Sequence, residues 1–320
     1  MVIQMIHRQP FNFYVASCDK EGGIYRLRFE DNALTVLDYT PMDCPMYMIK
    51  NNDKMLVLLR APFEDQNSGI VFYDIAENGE LNNPSEVYST LGECACHLAV
   101  NGEDIFCVNY LSGNIFKYPD KTVKHSGKGV HPIRQEAPHT HFVGFTPDEK
   151  YICVTDLGLD KIFVYNRDLT INSVTDMPKG HGPRHLAFHK NGQDVFCINE
   201  LQSTVTHLRY NSGRLTVKNT VESLPDGNQN NIAAAIRCNE NKVYVSNRGK
   251  NNVAVFSFEN DTLTLLKHIP VYGNSPRDFI VDNGLIIATN EKGNVVTVVD
   301  EQSGELICSL NIKAPLCVLK

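Results

Sequence analysis

Residues 134–166 read RQEAPHTHFVGFTPDEKYICVTDLGLDKIFVYN, and residues 181–200 read HGPRHLAFHKNGQDVFCINE. Each copy opens on a Pro-bounded apolar run (PHTHFVGF, PRHLAFH), crosses a polar turn (TPDEK, KNGQD) and continues as a second β-rich run (YICVTD, VFCINE). That is the signature of a β-hairpin. In an antiparallel hairpin the start of the first strand and the end of the second lie at one edge of the sheet. His139, His141 and Arg184, which start first strands, are therefore expected at the same rim as Asp156 and Glu200, which end second strands. Residues two apart on a strand share a face, so an extended PHTH would project His139 and His141 together.

Working outward, the second-strand pattern recurs at residues 13–17, 55–59, 105–109, 151–155, 195–199, 243–247 and 285–289. Intervals of roughly 42–50 residues are those of propeller blades rather than of helical repeats. A third strand follows most copies after a polar turn (GIYRLRF, GIVFYDI, GNIFKY, KIFVYN, TVTHLRY, NVAVFSF, NVVTVVD). An outer strand often comes next, as in NALTVLDYT, GELNNPSEVY, GRLTVKNTV, DTLTLLKHI and GELICSL. First strands also number seven, but the last, at 315–319, has no second strand behind it, and the second strand at 13–17 has no first strand before it. Pairing those two closes the ring and leaves no open edge. The expectation is an all-β, seven-bladed β-propeller of four-stranded antiparallel blades. Residues 1–320 are read as a single domain, its ring closed by the C-terminal strand joining the N-terminal blade.

Composition narrows the function classes. A chain of 320 residues with 42% hydrophobic and 21% charged residues has the balance of a globular protein. Its net charge of −7 argues against a nucleic-acid partner, because phosphate backbones are held by clustered Lys and Arg. No apolar run approaches the roughly 20 residues needed to cross a bilayer, so no membrane association is expected. The start, MVIQMIHRQPFNF, has no signal-peptide core of sufficient length, and a cytoplasmic location is the expectation. The ten cysteines then read as reduced thiols. Cys107, Cys153 and Cys197 hold one equivalent place in FCVN, ICVT and FCIN, as a small core residue would. Cys94-Ala-Cys96-His97 lacks a second ligand pair at zinc spacing, and no metal is expected there.

Residues special to one blade cannot be explained by blade construction. The first-strand starts read PMY, CHL, PHTH, PRH, IAA, PRD and PLC, which singles out His139, His141, Arg184, His185 and Arg277. The second-strand ends supply Arg60, Tyr110, Asp156, Glu200, Arg248 and Glu291. Asn199, Asn247 and Asp156 read as turn caps bonding their own backbone. Arg277 reads either as a partner of the adjacent Asp278 in a blade-to-blade ion pair or as an anion contact. Glu200 ends a buried apolar strand, which is costly unless a cavity solvates it or an arginine pairs with it.

The motifs RQExPHxH, FTPDxxYxxVxDLGxDKxxVY, GPRHLAFHxNGxxxFxxNExxSTV and YVSNR resemble those of the seven-bladed lactonase propellers, the propeller-type 6-phosphogluconolactonases and the related carboxymuconate lactonizing enzymes. The resemblance runs from about Cys96 to Asn290. It departs at MLVLLRAPFED, which stands where members often carry Asn-Glu at the strand end. It implies that His141, Arg184, Glu200 and Arg248 are catalytic; Glu136, His139, His185 and Arg277, singled out by the motif and the repeat comparison, are expected to bind substrate. The expected partner is a small-molecule sugar lactone, phosphorylated, with no cofactor and no metal required; nothing in the sequence specifies an oligomeric state. Lactone hydrolysis needs a base to deprotonate water, which Glu200 or His141 can supply, and cations to hold anionic groups and the oxyanion. No GxSxG nucleophile motif is present, so direct attack by water is favoured over an acyl-enzyme. Two other readings fit the same fold: a cycloisomerase closing a muconate to a lactone, and a non-catalytic protein-binding scaffold. The second gives no reason to gather His141, Arg184, Glu200 and Arg248 at one rim.

Overall fold

A computed structural model describes residues 8–225, 227 and 230–320. Residues 1–7, part of the stretch read above for the absence of an export signal, lie outside them. The described residues form seven antiparallel sheets arranged as the blades of a β-propeller. Blade 1 orders its strands Pro315–Leu319, Phe11–Ser17, Gly23–Glu30, Ala33–Pro41, so the C-terminal strand is the innermost strand of the N-terminal blade. Val15 pairs with Val318 and Ala16 with Cys317, which closes the ring as the repeat count requires. Blades 2 to 7 follow in chain order and begin with Pro45–Asn51, Ala95–Asn101, Thr140–Phe145, Pro183–Phe188, Ile232–Asn239 and Pro276–Asp282.

Both faces of each blade are covered by its neighbours, which is why the second strands are apolar at nearly every position instead of alternating. Successive side chains point to opposite faces. Thus Phe13 and Val15 pack against Leu285, Ile287, Val296 and Val298 of blade 7, while Tyr14 and Ala16 pack against Met48, Met55 and Val57 of blade 2. The same division gives one apolar cluster for each of the seven blade junctions. Cys107, Cys153 and Cys197 are buried in these layers, and all ten cysteines are free thiols.

Blade 2 departs from the expected outer strand. GELNNPSEVY does not form one strand: Leu81–Asn82 and Tyr88–Glu93 pair separately with Asn67–Ile75. Asn83 has φ +49°, and Pro84 has no amide to donate, so the ladder is interrupted between them. Ser85 partly repairs it, its amide donating to the Phe72 carbonyl and its Oγ accepting from the Phe72 amide.

Candidate active site

The innermost strands share an irregularity that builds the site. In blade 4, Thr140 pairs with Asp156 and Phe142 with Thr155, so His141 is an extra residue opposite no partner. Arg184 is left over in the same way in blade 5, and Arg277 in blade 7. The equivalent positions are Met46, Cys96, Ala234 and Leu316. A β-bulge re-aims the side chain of its extra residue. Here, in six of the seven blades, it turns one residue toward the axis: Met46, Cys96, His141, Arg184, Arg277 and Leu316 line a narrow cavity open to solvent. A second ring stands at the second-strand ends, Arg248 as the last residue of its strand and the others one residue beyond theirs: Cys18, Arg60, Tyr110, Leu157, Glu200, Arg248 and Glu291.

Glu200 is the centre of one side of this mouth. It is 3% exposed, and three guanidinium groups converge on it. Arg184 Nε donates to Oε2 at 2.8 Å, Arg248 Nη2 approaches Oε2 at 2.8 Å, and Arg134 Nη2 donates to Oε1 at 2.5 Å. Burial alone would raise the carboxyl pKa, but Arg248, Arg184, His141 and Arg134 together hold it well below the usual carboxylate range. Arg184 is itself fixed by the Ala234 carbonyl at 2.7 Å and by His185 Nε2 at 3.2 Å, both from Nη1. Burial and the charge of Arg248 pull its pKa down to about 9, so it remains charged at neutral pH. Arg248 Nη2 also donates to the Ala233 carbonyl at 2.8 Å. Its Nε is buried without a partner among the described residues, a donor that an oxygen of water or ligand would satisfy.

His141 faces the cavity and meets the Tyr110 and His185 rings edge-on, with centroids 5.5 and 5.2 Å away. Burial and the Arg184 charge push its pKa well below the ordinary imidazole value, so it is neutral at pH 7 and able to accept a proton. His185 lines the cavity one residue deeper. Next to it, His97 packs between the Tyr47 and Phe142 rings, tilted against both, with centroids 4.4 and 4.5 Å away.

Of the eight residues singled out from sequence, His141, Arg184, His185 and Arg277 line the cavity, and Glu200 and Arg248 stand in the ring above it. His139 and Glu136 do not line it. Because the bulge begins after Thr140, His139 lies outside the strand; its ring stacks on Tyr110 at 4.5 Å and its Nε2 reaches Glu136, whose side chain is largely exposed. Asp156 is taken up by blade construction, as a turn cap would be. The Arg277–Asp278 ion pair does not form: Arg277 reaches Glu291 at 3.3 Å, and Asp278 pairs with Arg237.

Arg134 was missed as a site residue, although it opens the quoted motif. It sits on the loop between blades 3 and 4, where no strand period could place it. Buried Gln135 anchors that loop, donating to the Leu157 carbonyl at 2.8 Å and accepting the amides of Val130 and His131. Arg134 Nη2 thereby also reaches the Tyr110 hydroxyl at 3.3 Å.

The model of the family "Lactonase, 7-bladed beta-propeller" matches residues 12–319. The chain belongs to this family of seven-bladed lactonase propellers. A curated relative, the 6-phosphogluconolactonase of Bacillus subtilis, is 32% identical, with 95% of this chain and 97% of that one covered. A Lactobacillus plantarum protein of known crystal structure superposes with a TM-score of 0.87 at 29% identity, covering 97% and 99% of the two chains. The periplasmic gluconolactonase of Pseudomonas aeruginosa superposes with a TM-score of 0.86 over 97% and 98% of the chains; at 23% identity it speaks to the lactonase-propeller fold alone.

Proposed function

We propose that this protein hydrolyses a sugar lactone, 6-phosphogluconolactone to 6-phosphogluconate, in the cytoplasm and as a step of the pentose phosphate pathway. The observation that carries the reading is the charge of the mouth. The two rings and Arg134 contribute five arginines (60, 134, 184, 248, 277) against two glutamates (200, 291), an excess of three positive charges in a chain whose net charge is −7. A cleft of one sign in a protein of the other concentrates an oppositely charged substrate. The likeness to the Bacillus subtilis enzyme supports the phosphorylated sugar as that substrate.

Chemically, the site offers a neutral imidazole beside fixed cations. In the proposed reaction His141 takes a proton from water as its oxygen bonds to the lactone carbonyl carbon. Arg184 and Arg248, which keep their protons, stabilise the oxyanion. Collapse breaks the bond to the ring oxygen, which receives the proton held on His141. Either Glu200 or His141 suits the base role by residue type; the site lowers the proton affinity of both, but both Glu200 oxygens are engaged by guanidinium groups, whereas the neutral His141 ring faces the cavity. The role of Glu200 in this reading is to hold the arginines in place and to stabilise the imidazolium that forms next to it.

Loss of 6-phosphogluconolactone above its spontaneous rate, measured beside unphosphorylated gluconolactone and a muconate, tests the reading. Preference for the phosphorylated lactone is expected. Activity confined to the muconate would replace hydrolysis by cycloisomerisation, and no activity on any of the three would leave a binding protein.

A further inference from the structure

The mouth holds its arginines in two ways. On the side of blades 4 to 6, Arg134, Arg184 and Arg248 share Glu200. Blades 7 and 2, on either side of blade 1, supply Arg277 and Arg60. Arg277 has one ion pair among the described residues, a long one from Nη1 to Glu291 at 3.3 Å. Arg60 has no carboxylate within ion-pair distance among the described residues; its side chain is exposed and Nε donates to Met46 Sδ at 3.1 Å. Met46 is itself a cavity residue, so Arg60 lies at the part of the cavity wall that Met46 forms. Both arginines are close enough to act on the same half-buried thiols: burial raises the pKa of Cys18 and Cys94, and the charges of Arg60 and Arg277 oppose it. Asp43, beside Cys44, is the neighbouring acid and makes no ion pair with Arg60.

Resting on the lactonase reading, which places the reacting carbonyl beside His141 and Arg184, we propose that Arg60 and Arg277 form an anion subsite for the phosphate at the far end of the lactone, and that Arg60 sets the preference for a phosphorylated substrate. A guanidinium whose fork is not taken by a carboxylate can offer parallel N–H donors to phosphate oxygens, a geometry lysine cannot reproduce. Arg277 can turn from one weak contact to the same anion at small cost. Arg60 stands three blades from Arg184 around the ring, so Arg184 and Arg248 can act on the carbonyl while Arg60, helped by Arg277, holds the phosphate, and binding energy from the remote group orients the reacting one.

The test compares wild type with Arg60→Ala and Arg60→Lys, with thermal melting as the folding control, which the exposed position of Arg60 makes easy to pass. The ratio of kcat/KM for 6-phosphogluconolactone to that for gluconolactone is expected to fall about 10- to 100-fold in Arg60→Ala, mainly through KM, and to recover in part in Arg60→Lys. Inorganic phosphate, titrated calorimetrically, should bind Arg60→Ala more weakly than wild type. An unchanged ratio, or equal losses on both lactones, overturns the subsite. Should wild type hydrolyse neither lactone, the lactonase reading fails by itself, and the phosphate titration still decides: equal affinity in wild type and Arg60→Ala overturns the subsite as well.

Discussion

Asp156 and Glu200 are both buried carboxylates at the axial end of a second strand, one blade apart, yet the groups around them differ in kind. Asp156 accepts the backbone amides of His139 at 2.8 Å and Leu159 at 3.1 Å, and its other oxygen meets His125 Nδ1 at 2.6 Å. His125 passes the chain of bonds to the Tyr165 hydroxyl at 2.7 Å. All of its partners are framework: a turn, a strand start and a packed histidine. Among the described residues the Glu200 carboxylate accepts from no backbone amide; its partners are three arginines drawn from the loop before blade 4, from blade 5 and from blade 6. A carboxylate tied to backbone fixes the fold, whereas one tied to cations sets the charge of a cavity and can share those cations with an incoming anion.

This contrast breaks most sharply at His141, the proposed base beside Glu200. His141→Gln is expected to lower kcat by about 10²–10⁴-fold while leaving the melting temperature close to wild type. Steady-state rates and melting on one preparation check it; a fully active variant would return the base role to Glu200. Next in size is Glu200→Gln. Removing the charge leaves three guanidinium groups unbalanced in a buried site, so unfolding free energy should drop by about 3–5 kcal/mol in urea titration, together with activity. A stable, inactive Glu200→Gln would instead mark it as the base. Asp156→Asn should behave oppositely, losing about 2–3 kcal/mol of stability through its broken turn bonds while kcat per folded molecule is unchanged.

The same contrast explains what the sequence could show. Blade number, strand order and ring closure were legible because each blade repeats one pattern, and the clasp of 13–17 with 315–319 followed from a missing strand at each end. Glu200, Arg184 and His141 were legible because they break that repeat. The bulge was not legible, since one extra residue in a strand leaves no mark in an apolar run. Without it the hairpin argument projects His139 and His141 as a pair, whereas His141 alone enters the cavity. Arg134 was hidden for another reason: a loop has no period, and only the buried Gln135 beside it fixes where its guanidinium goes.

The smallest expected effect concerns acid stability and separates the cavity histidines from the carboxylates. Burial, then the charges of Arg237 and Arg184, push the pKa of His97 down to about 3, and burial with Arg184 holds His141 and His185 well below the ordinary value. In the unfolded chain these imidazoles titrate near about 6.5. Between that pH and the folded pKa the unfolded state binds more protons than the folded one, so stability falls as pH falls. The stabilisation is full above about pH 6.5 and is lost progressively below it. Glu200, also depressed, contributes stability that is full above its unfolded value near about 4.5 and is lost only as pH drops further, through its folded pKa. The first loss on acidification therefore belongs to the histidines, about 1 kcal/mol for each at pH 5.5. His97→Gln keeps a polar side chain and removes one titrating group, with Nδ1 of His97 giving up no partner among the described residues. Melting temperature plotted from pH 7.5 to 5 should decline less steeply in His97→Gln than in wild type, and parallel curves would show that His97 takes up its proton without opposing the fold.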